Sequence, residues 1–357
     1  MSGLDGALQV KLLVGDGRVG EVEIFSPRKN IAPIFVGRSA TGAAALAKNL
    51  FSLCPTAQSL AAQAAGEAAL GQRPDPSRRR RQSLRLLGER FGEMLRASVL
   101  DWPQDDPPDP ASIAALREIL AALRALPESQ EAQSLLARVD RASRFLGLRD
   151  FKAGTEFFAR QWAQVMVDEP HWRLREVEAD FLRAGDDEAV AEAMSDPEFC
   201  LAPQLDGRCV ETGAAARQGG AGSVNGLSGR LAARFADMAA TLDAIAALLD
   251  GGAPPAGLLS VRNMGPAQGF SAVDSARGRL YHGVRLDDEG RIADYRIVAP
   301  TEWNFHPDGP FVRLLRGAEI GTGARARRRV ERLAFVFDPC IAVGVAIREA
   351  ARDLADA

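Results

Sequence analysis

The cysteines are the side chains of this 357-residue chain that are best suited to chemistry. There are four of them, Cys54, Cys200, Cys209 and Cys340, too few for a disulfide framework in a chain of this length. Each is therefore either a small buried side chain or a thiolate that can bind a soft metal ion. Cys200 and Cys209 lie nine positions apart, which is not the spacing of a metal clamp, and we expect structural roles for both.

The composition argues against several classes of partner. Apolar residues make up 46% of the chain, charged residues 25% and aromatic residues 6%, and the net charge is -3. These values are typical of a soluble globular protein and predict no nucleic-acid and no membrane partner. The chain has no uncharged apolar run of about 18 residues, and residues 1–11 lack the features of a signal peptide. We therefore expect a cytoplasmic protein.

The first two thirds of the chain are predicted to begin with a β-hairpin and to continue as helices. Strands Leu8–Val14 and Val19–Phe25 flank a turn at Gly15–Gly17. Apolar residues then recur with the period of a helix, and two proline-rich stretches interrupt them. The predicted helices are Ser39–Leu70 with a break near Pro55, Ser83–Val99, Ser112–Leu126, Ser129–Leu146, Phe151–Val167, Arg173–Arg183, Asp187–Met194 and Leu231–Leu249, and the predicted linkers are Gln72–Ser83 and Asp101–Pro110.

The last third of the chain changes to the alternating pattern of strands. The predicted strands are Leu258–Val261, Phe270–Asp274, Arg279–Leu286 and Ala293–Ala299. A final helix is predicted over Ile341–Leu354. The whole outline predicts one α+β domain over residues 1–357. It has a β-rich start at residues 1–50, a helical middle at residues 51–252 and a mixed β region at residues 253–357.

Four segments of the second half stand out because they occur together and in a fixed order. They read D-G-R-C-V-E-T-G with A-R shortly after it at residues 206–217, S-A-R-G-R-L-Y-H at residues 275–282, I-A-D-Y-R-I-V-A-P-T-E-W-N at residues 292–304, and F-D-P-C-I-A-V at residues 337–343. Each resembles a motif of the large subunit of nickel–iron hydrogenase, and the last resembles its C-terminal D-P-C-x-x-C metal motif. The resemblance implies that family's fold, with a central helical bundle and small mixed β regions at both ends.

The metal motifs of the hydrogenase are only half present in this chain. Cys54 is retained from its N-terminal motif C-x-x-C-x-x-x-H, and Cys340 is retained from its C-terminal motif. In that family nickel is held by four thiolates, and iron shares two of them and also carries two cyanides and one carbon monoxide. Two thiolates cannot form the nickel site, so the resemblance implies iron without nickel. The positions of the two missing cysteines are occupied by Phe51 and Val343, and those of the family's two motif histidines by Gln58 and Ala346.

This pattern is similar to that of the hydrogenase expression/formation proteins of the HupK and HoxV type. The similarity implies a non-catalytic scaffold that transiently holds an Fe(CN)2(CO) fragment through Cys54 and Cys340. The scaffold would then pass the fragment to the hydrogenase large subunit precursor. Its partners would be this precursor and the other hydrogenase maturation proteins.

The resemblance also assigns roles to residues around the two cysteines. Arg277 would donate a hydrogen bond to one cyanide, and Pro300 and Thr301 would line the same pocket. Cys54 corresponds to a bridging ligand of the hydrogenase, whereas Cys340 corresponds to a ligand of nickel alone. The iron fragment would therefore lie slightly toward the position that nickel occupies in the hydrogenase.

Two other functions remain open from the sequence. A metal-free chaperone could imitate the large subunit while its cysteines only pack in the core. A diverged redox or hydrogen-sensing protein could use the same pocket, although the missing thiolates argue against it. A separation of about 3–5 Å between the sulfurs of Cys54 and Cys340 would favour one shared metal.

Other motifs are assigned structural roles. Gly15–Gly20 matches G-x-G-x-x-G, but a strand follows it instead of the helix that a dinucleotide site needs. We expect His282 to make hydrogen bonds in the core. The arginine clusters Arg78–Arg81 and Arg325–Arg329 are interpreted as solvated faces, with docking of an acidic partner as the alternative.

Overall fold

The computed structural model describes residues 6–27, 29–72, 76–219, 224 and 226–350 of the chain. Its helices are α1 Ala40–Leu50, α2 Pro55–Ala69, α3 Pro76–Leu100, α4 Pro110–Ala125, α5 Ala132–Phe145, α6 Phe157–Asp168, α7 Asp187–Ala193, α8 Ala214–Gln218, α9 Gly226–Leu249, α10 Pro300–Asn304, α11 Pro310–Leu315 and α12 Gly323–Val336. Its strands are β1 Leu8–Gly15, β2 Arg18–Phe25, β3 Leu259–Gly265, β4 Gln268–Ser275, β5 Gly278–Leu286, β6 Ile292–Val298 and β7 Val343–Glu349.

The two ends of the described chain share one three-stranded sheet with the order β2-β1-β7. β1 and β2 form the predicted hairpin, and its turn places Asp16 and Gly17 at φ values of 49° and 79°. Positive φ at both central residues is the signature of a type I′ turn, which matches the twist of paired strands. β7 pairs with β1 in parallel, with Leu8 opposite Val343. The segment that follows Cys340 is thereby tied to the start of the chain.

The predicted helix over Ile341–Leu354 is wrong. Residues 343–349 form β7, and residues 351–354 lie outside the described part of the chain. Val343, Val345 and Ile347 are β-branched and alternate along the segment, a pattern that suits a strand. Pairing with β1 supplies the backbone hydrogen bonds, and this partner is too distant in sequence for local periodicity to indicate it.

The four predicted strands are present, and they form a four-stranded antiparallel meander with the order β3-β4-β5-β6. α2 packs directly on it, and the Ser271 hydroxyl donates to the Ala61 carbonyl oxygen at 2.8 Å. The approach requires a glycine at position 269, because a Cβ on Gly269 would lie 2.0 Å from the carbonyl oxygen of Ala65. This close packing fixes the N-terminus of α2 relative to the turn between β4 and β5.

The helical middle packs around α3 and α9. Phe91 and Met94 of α3 and Phe235 of α9 are fully buried in the largest apolar cluster of the described chain. Arg234 of α9 is 1% exposed, and it donates to the Met94 carbonyl oxygen at 3.0 Å and to the Asp338 carboxylate at 2.8 Å. The bundle therefore anchors the D-P-C segment directly through a buried ion pair.

The predicted helix over Arg173–Arg183 is also wrong, because this segment is extended. Its backbone pairs with other segments. The N–H of Arg173 donates to the carbonyl oxygen of Glu319 at 2.9 Å, and that of Leu182 donates to the carbonyl oxygen of Glu211 at 2.9 Å. Tertiary hydrogen bonds thus replace those of a helix.

Two further boundaries differ from prediction. The predicted linker Gln72–Ser83 is helical from Pro76 onward, since proline is tolerated in the first turn of a helix and the arginines that follow keep to its outer faces. The predicted helix Phe151–Val167 begins only at Phe157. The α+β class is confirmed, with helices between two small sheets. Within the described ranges, no helix combines the length and apolarity needed to cross a membrane.

Candidate metal site

Cys54 occupies the position immediately before α2, which begins at Pro55. Proline suits this first helical position because its missing N–H would have no partner there. The next two N–H groups, those of Thr56 and Ala57, donate to the carboxylate of Glu89 on α3 at 2.6 and 2.8 Å. The Glu89 carboxylate thus caps α2 from a neighbouring helix and holds Cys54 beside α3.

Cys340 lies in the D-P-C loop between α12 and β7, and α10 orients this loop. Asp338 adopts a left-handed conformation with φ 49°. The Asn304 amide donates to the Phe337 carbonyl oxygen at 3.0 Å. The backbone N–H of Cys340 donates to the Thr301 hydroxyl at 3.3 Å, and this hydroxyl lies 3.2 Å from the Cys340 sulfur. Thr301 therefore contacts both the backbone and the sulfur of Cys340.

The turn between β4 and β5 presents Arg277, which is 4% exposed. Its Nη1 donates to the Leu53 carbonyl oxygen at 3.3 Å, and its Nη2 lies 3.5 Å from the carboxylate of Glu93. Its Nε lies 3.9 Å from an oxygen of Asp338, and within the described residues this buried atom has no hydrogen-bond acceptor. An unsatisfied buried N–H costs about 1–3 kcal/mol, so the geometry favours an acceptor at this position.

Both cysteines and Arg277 line one cavity of about 190 Å³, together with Pro300. The structure thus brings four of the five predicted side chains into the cavity wall. Thr301, which was expected to line the cavity, does not line it and instead contacts the Cys340 sulfur. The rest of the wall is largely apolar and includes Leu50, Phe51, Leu53, Leu280, Ala299 and Ile341.

The electrostatics of the cavity keep the Cys54 thiol protonated. Burial raises the pKa of Cys54 to about 12; Arg277 opposes this effect, whereas Cys340 and Glu89 add to it. Burial alone would lower the pKa of Arg277, but the negative charges of Asp338, of the two cysteines when ionised and of Glu93 outweigh it and raise that pKa. A metal must therefore displace a proton from Cys54, and Arg277 is a permanent cation beside the sulfurs.

The donor set fits a metal with two protein thiolates and does not fit the four-thiolate nickel site. Phe51 lies in the cavity wall where a thiol would be needed. Val343 begins β7 and lines a neighbouring cavity of about 510 Å³, which shares Leu53, Arg277 and Ile341 with the first. In the part of the chain that the structure describes, no three His, Cys, Asp or Glu side chains cluster as metal ligands.

The other two cysteines lie away from the cavity and are buried, as predicted. The Cys200 thiol donates to the carbonyl oxygen of Asp196 at 3.7 Å. The Cys209 sulfur lies 3.5 Å from Nδ1 of His306, which also accepts from the backbone N–H of Asp308 at 3.0 Å. Burial raises the pKa of both thiols, so both remain protonated and structural.

The predicted core role of His282 is confirmed. It is fully buried, and its ring nitrogens contact the Tyr295 hydroxyl at 2.7 Å and the Gln58 amide oxygen at 2.9 Å. Three carboxylates at the site were not predicted, namely those of Glu89, Glu93 and Asp338. Asp338 could have been found from the D-P-C motif, whereas the two glutamates are identified only by tertiary contacts.

Comparison with known proteins agrees with this geometry. A family model described as nickel-dependent hydrogenase matches residues 221–346. The hydrogenase expression/formation protein HupK of Rhizobium leguminosarum bv. viciae is 38% identical over 97% of this chain and 98% of its own length. The hydrogenase expression/formation protein HoxV of Cupriavidus necator is 30% identical over 89% of this chain and 90% of its own length.

Solved structures establish the fold. A reduced, active form of the Ni-Fe-Se hydrogenase from Desulfomicrobium baculatum matches with a TM-score of 0.65 and 16% identity, over 92% of this chain and 95% of that chain. The Ni-Fe-Se hydrogenase from D. vulgaris Hildenborough matches with a TM-score of 0.63, 16% identity and the same coverage. The predicted large-subunit-like fold is confirmed. The chain therefore belongs to the hydrogenase expression/formation proteins of the HupK and HoxV type.

Proposed function

We propose that this protein is a non-catalytic scaffold in nickel–iron hydrogenase maturation. It holds an Fe(CN)2(CO) fragment transiently between Cys54 and Cys340 and binds no nickel. The fragment then passes to the precursor of the hydrogenase large subunit. The names of the related proteins support a role in hydrogenase formation, and the iron cargo is the finer part of the proposal.

One observation carries the proposal: two thiols from opposite ends of the chain line the same cavity beside a buried arginine. Soft thiolates suit low-spin iron(II), and three diatomic ligands leave few positions for the protein to fill. The fragment with two cyanides and two thiolates is anionic, and Arg277 is the cation that faces it. Arg277, which lines the cavity, supplies the N–H donor for a cyanide nitrogen.

The surroundings of Cys54 support a transient complex. Burial disfavours the thiolate form of Cys54, so reprotonation of this sulfur favours release of the cargo. The four free cysteines suit a reducing compartment, and we place the protein in the cytoplasm with the other maturation proteins.

The direct test is infrared spectroscopy of protein purified without air from cells that mature hydrogenase. We expect cyanide and carbonyl bands, iron and no nickel. Cys54→Ser and Cys340→Ser should lose the bands and hydrogenase maturation while remaining folded. Cys209→Ser, which removes a more deeply buried thiol outside the cavity, should keep both and serves as the control.

The other outcomes identify the alternative functions. Wild-type protein without the bands, together with normal maturation in both cavity variants, would reject the iron proposal in favour of a metal-free chaperone. Hydrogen uptake by metal-replete protein would reject the non-catalytic role and identify a redox or sensor protein.

A further inference from the structure

Three buried polar side chains form a chain of contacts that ends at Cys54. Tyr295 of β6, His282 of β5 and Gln58 of α2 are each at most 3% exposed. The Tyr295 hydroxyl lies 2.7 Å from Nδ1 of His282, and Nε2 of His282 lies 2.9 Å from the Gln58 amide oxygen. The Gln58 amide nitrogen then donates to the Cys54 sulfur at 3.8 Å. The contacts thus run from the four-stranded sheet to the metal cavity.

The hydrogen bonds that link Tyr295 to Cys54 all donate in the same direction. Burial lowers the pKa of His282 to about 3, so its ring is neutral and has one donor and one acceptor nitrogen. The Gln58 amide oxygen can only accept, so Nε2 of His282 must carry the proton. Nδ1 then accepts from Tyr295, whose phenol stays protonated because burial raises its pKa. Every donor in the chain therefore points toward Cys54.

Aromatic packing holds Tyr295, the residue of this hydrogen-bond network farthest from Cys54, in one orientation. The Tyr295 ring stacks on Phe35 with a centroid distance of 4.3 Å and an interplanar angle of 9°. It stands at 85° to the His282 ring. Aromatic packing in two directions leaves the hydroxyl little freedom, so the orientation of His282 is fixed, and with it the orientation of the Gln58 amide.

We infer that Tyr295, His282 and Gln58 are positioning residues that orient the Cys54 sulfur and supply it with a hydrogen bond, which weakens its electron donation to a bound metal. The inference rests on the proposed function only in giving Cys54 a metal partner. Hydrogen bonds to a ligating sulfur tune the electronics of the metal and fix the geometry of the ligand. Gln58 suits this role because its amide accepts from one neighbour and donates to the other.

The first experiment uses the carbonyl stretch of the iron-loaded protein. Gln58→Met keeps the length of the side chain but removes the donor, so the sulfur should donate more charge and the band should move to lower frequency. Tyr295→Phe should move it in the same direction by a smaller amount. Gln63→Met is the matched control, because Gln63 lies on the same helix and bonds Gln82 instead. An unshifted band in Gln58→Met protein that retains iron would overturn the inference.

The second experiment needs no metal and separates failure of this inference from failure of the proposed function. Nitrogen-15 NMR of histidine-labelled protein reports the tautomer of each ring, and His282→Gln identifies the signal. We expect His282 to be protonated on Nε2, with a changed Nδ1 shift in Tyr295→Phe. Protonation on Nδ1 would interrupt the series of hydrogen bonds from Tyr295 to Cys54 and overturn the inference, whether or not the protein binds iron.

Discussion

Two regions of the molecule place cysteines in different surroundings: the cavity with Cys54 and Cys340, and the contact between Cys209 and His306. Cys54 and Cys340 are half-buried on the wall of a cavity, next to the guanidinium of Arg277. Cys209 is 8% exposed and its sulfur lies 3.5 Å from a ring nitrogen of His306. Cysteine and histidine are both common metal ligands, so residue type alone would favour the Cys209–His306 pair over two isolated cysteines.

The surroundings reverse this preference. Nδ1 of His306 already accepts from the backbone N–H of Asp308, so its lone pair is occupied. The cavity instead offers space, two sulfurs and the cationic side chain of Arg277 in its wall. Unfilled space and a neighbouring cation therefore favour the cavity over the Cys209–His306 pair as the proposed metal site. The thiol cavity and the Cys209 region should therefore respond differently to substitution, pH and labelling.

The largest effect is expected from the arginines beside the two regions. Arg277→Met removes a buried cation that faces Asp338 and Glu93, and should lower the free energy of unfolding by about 3 kcal/mol. Arg208→Met, next to Cys209, breaks a surface pair with Asp180 and should cost less than about 1 kcal/mol. Urea unfolding of both variants measures the difference, and equal losses would contradict the burial argument.

The second prediction concerns pH and the two buried histidines. Because the pKa of His282 is about 3 in the folded protein and 6.5 in the unfolded chain, the unfolded chain binds a proton first as pH falls. The contribution of His282 to the free energy of unfolding is present in full above pH 6.5 and decreases as the pH falls toward 3. The loss between pH 7 and 5 is roughly 2 kcal/mol. His306, whose pKa is also lowered by burial, acts in the same direction.

Urea unfolding at pH 7 and 5 tests this dependence. His282→Gln should remove most of the loss, and His306→Gln should remove less, because His306 is less completely buried than His282. A His282→Gln variant with the same pH dependence as the wild type would show that the buried ring does not control acid stability.

The third prediction concerns thiol reactivity. In the native protein a neutral maleimide should modify Cys340 about tenfold faster than Cys209, because the cavity exposes the first sulfur while the second must wait for local opening. Cys54 should react slowly despite its position, since burial raises its pKa to about 12. Peptide mass spectrometry over time gives the three rates. Faster labelling of Cys209 than of Cys340 would contradict the assigned surroundings.

The sequence was sufficient to predict Cys54, Cys340 and Arg277 in the cavity wall, but not the glutamates that hold them in place. Cys54, Cys340 and Arg277 lie in motifs whose order resembles a known family, and the residue types alone indicate thiolate and anion chemistry. Glu89 and Glu93 carry no such signal, because one α-helical turn with two glutamates is usually a solvated face. Their roles arise only when α3 packs against the start of α2 and the Arg277 turn.

The same distinction applies to the fold. The hairpin β1–β2 and the meander β3–β6 were predictable, since each strand pairs with its neighbour in sequence. β7 was not predictable, because its partner β1 lies at the other end of the chain. Residues 341–350 mix β-branched residues, which favour a strand, with alanines, which favour a helix, so the pairing with β1 decides which structure forms.

The smallest effect is expected at Thr301, whose hydroxyl contacts both the backbone N–H and the sulfur of Cys340. Thr301→Val keeps the shape of the side chain but leaves the N–H of Cys340 without its acceptor, and should lower the free energy of unfolding by about 1 kcal/mol. Thr301→Ser keeps the hydroxyl and should restore most of that loss. If Thr301 orients the loop, the valine variant should also label faster at Cys340 while Cys209 keeps its rate. Equal labelling at Cys340 in the valine and serine variants would show that Asn304 and β7 alone hold the D-P-C loop.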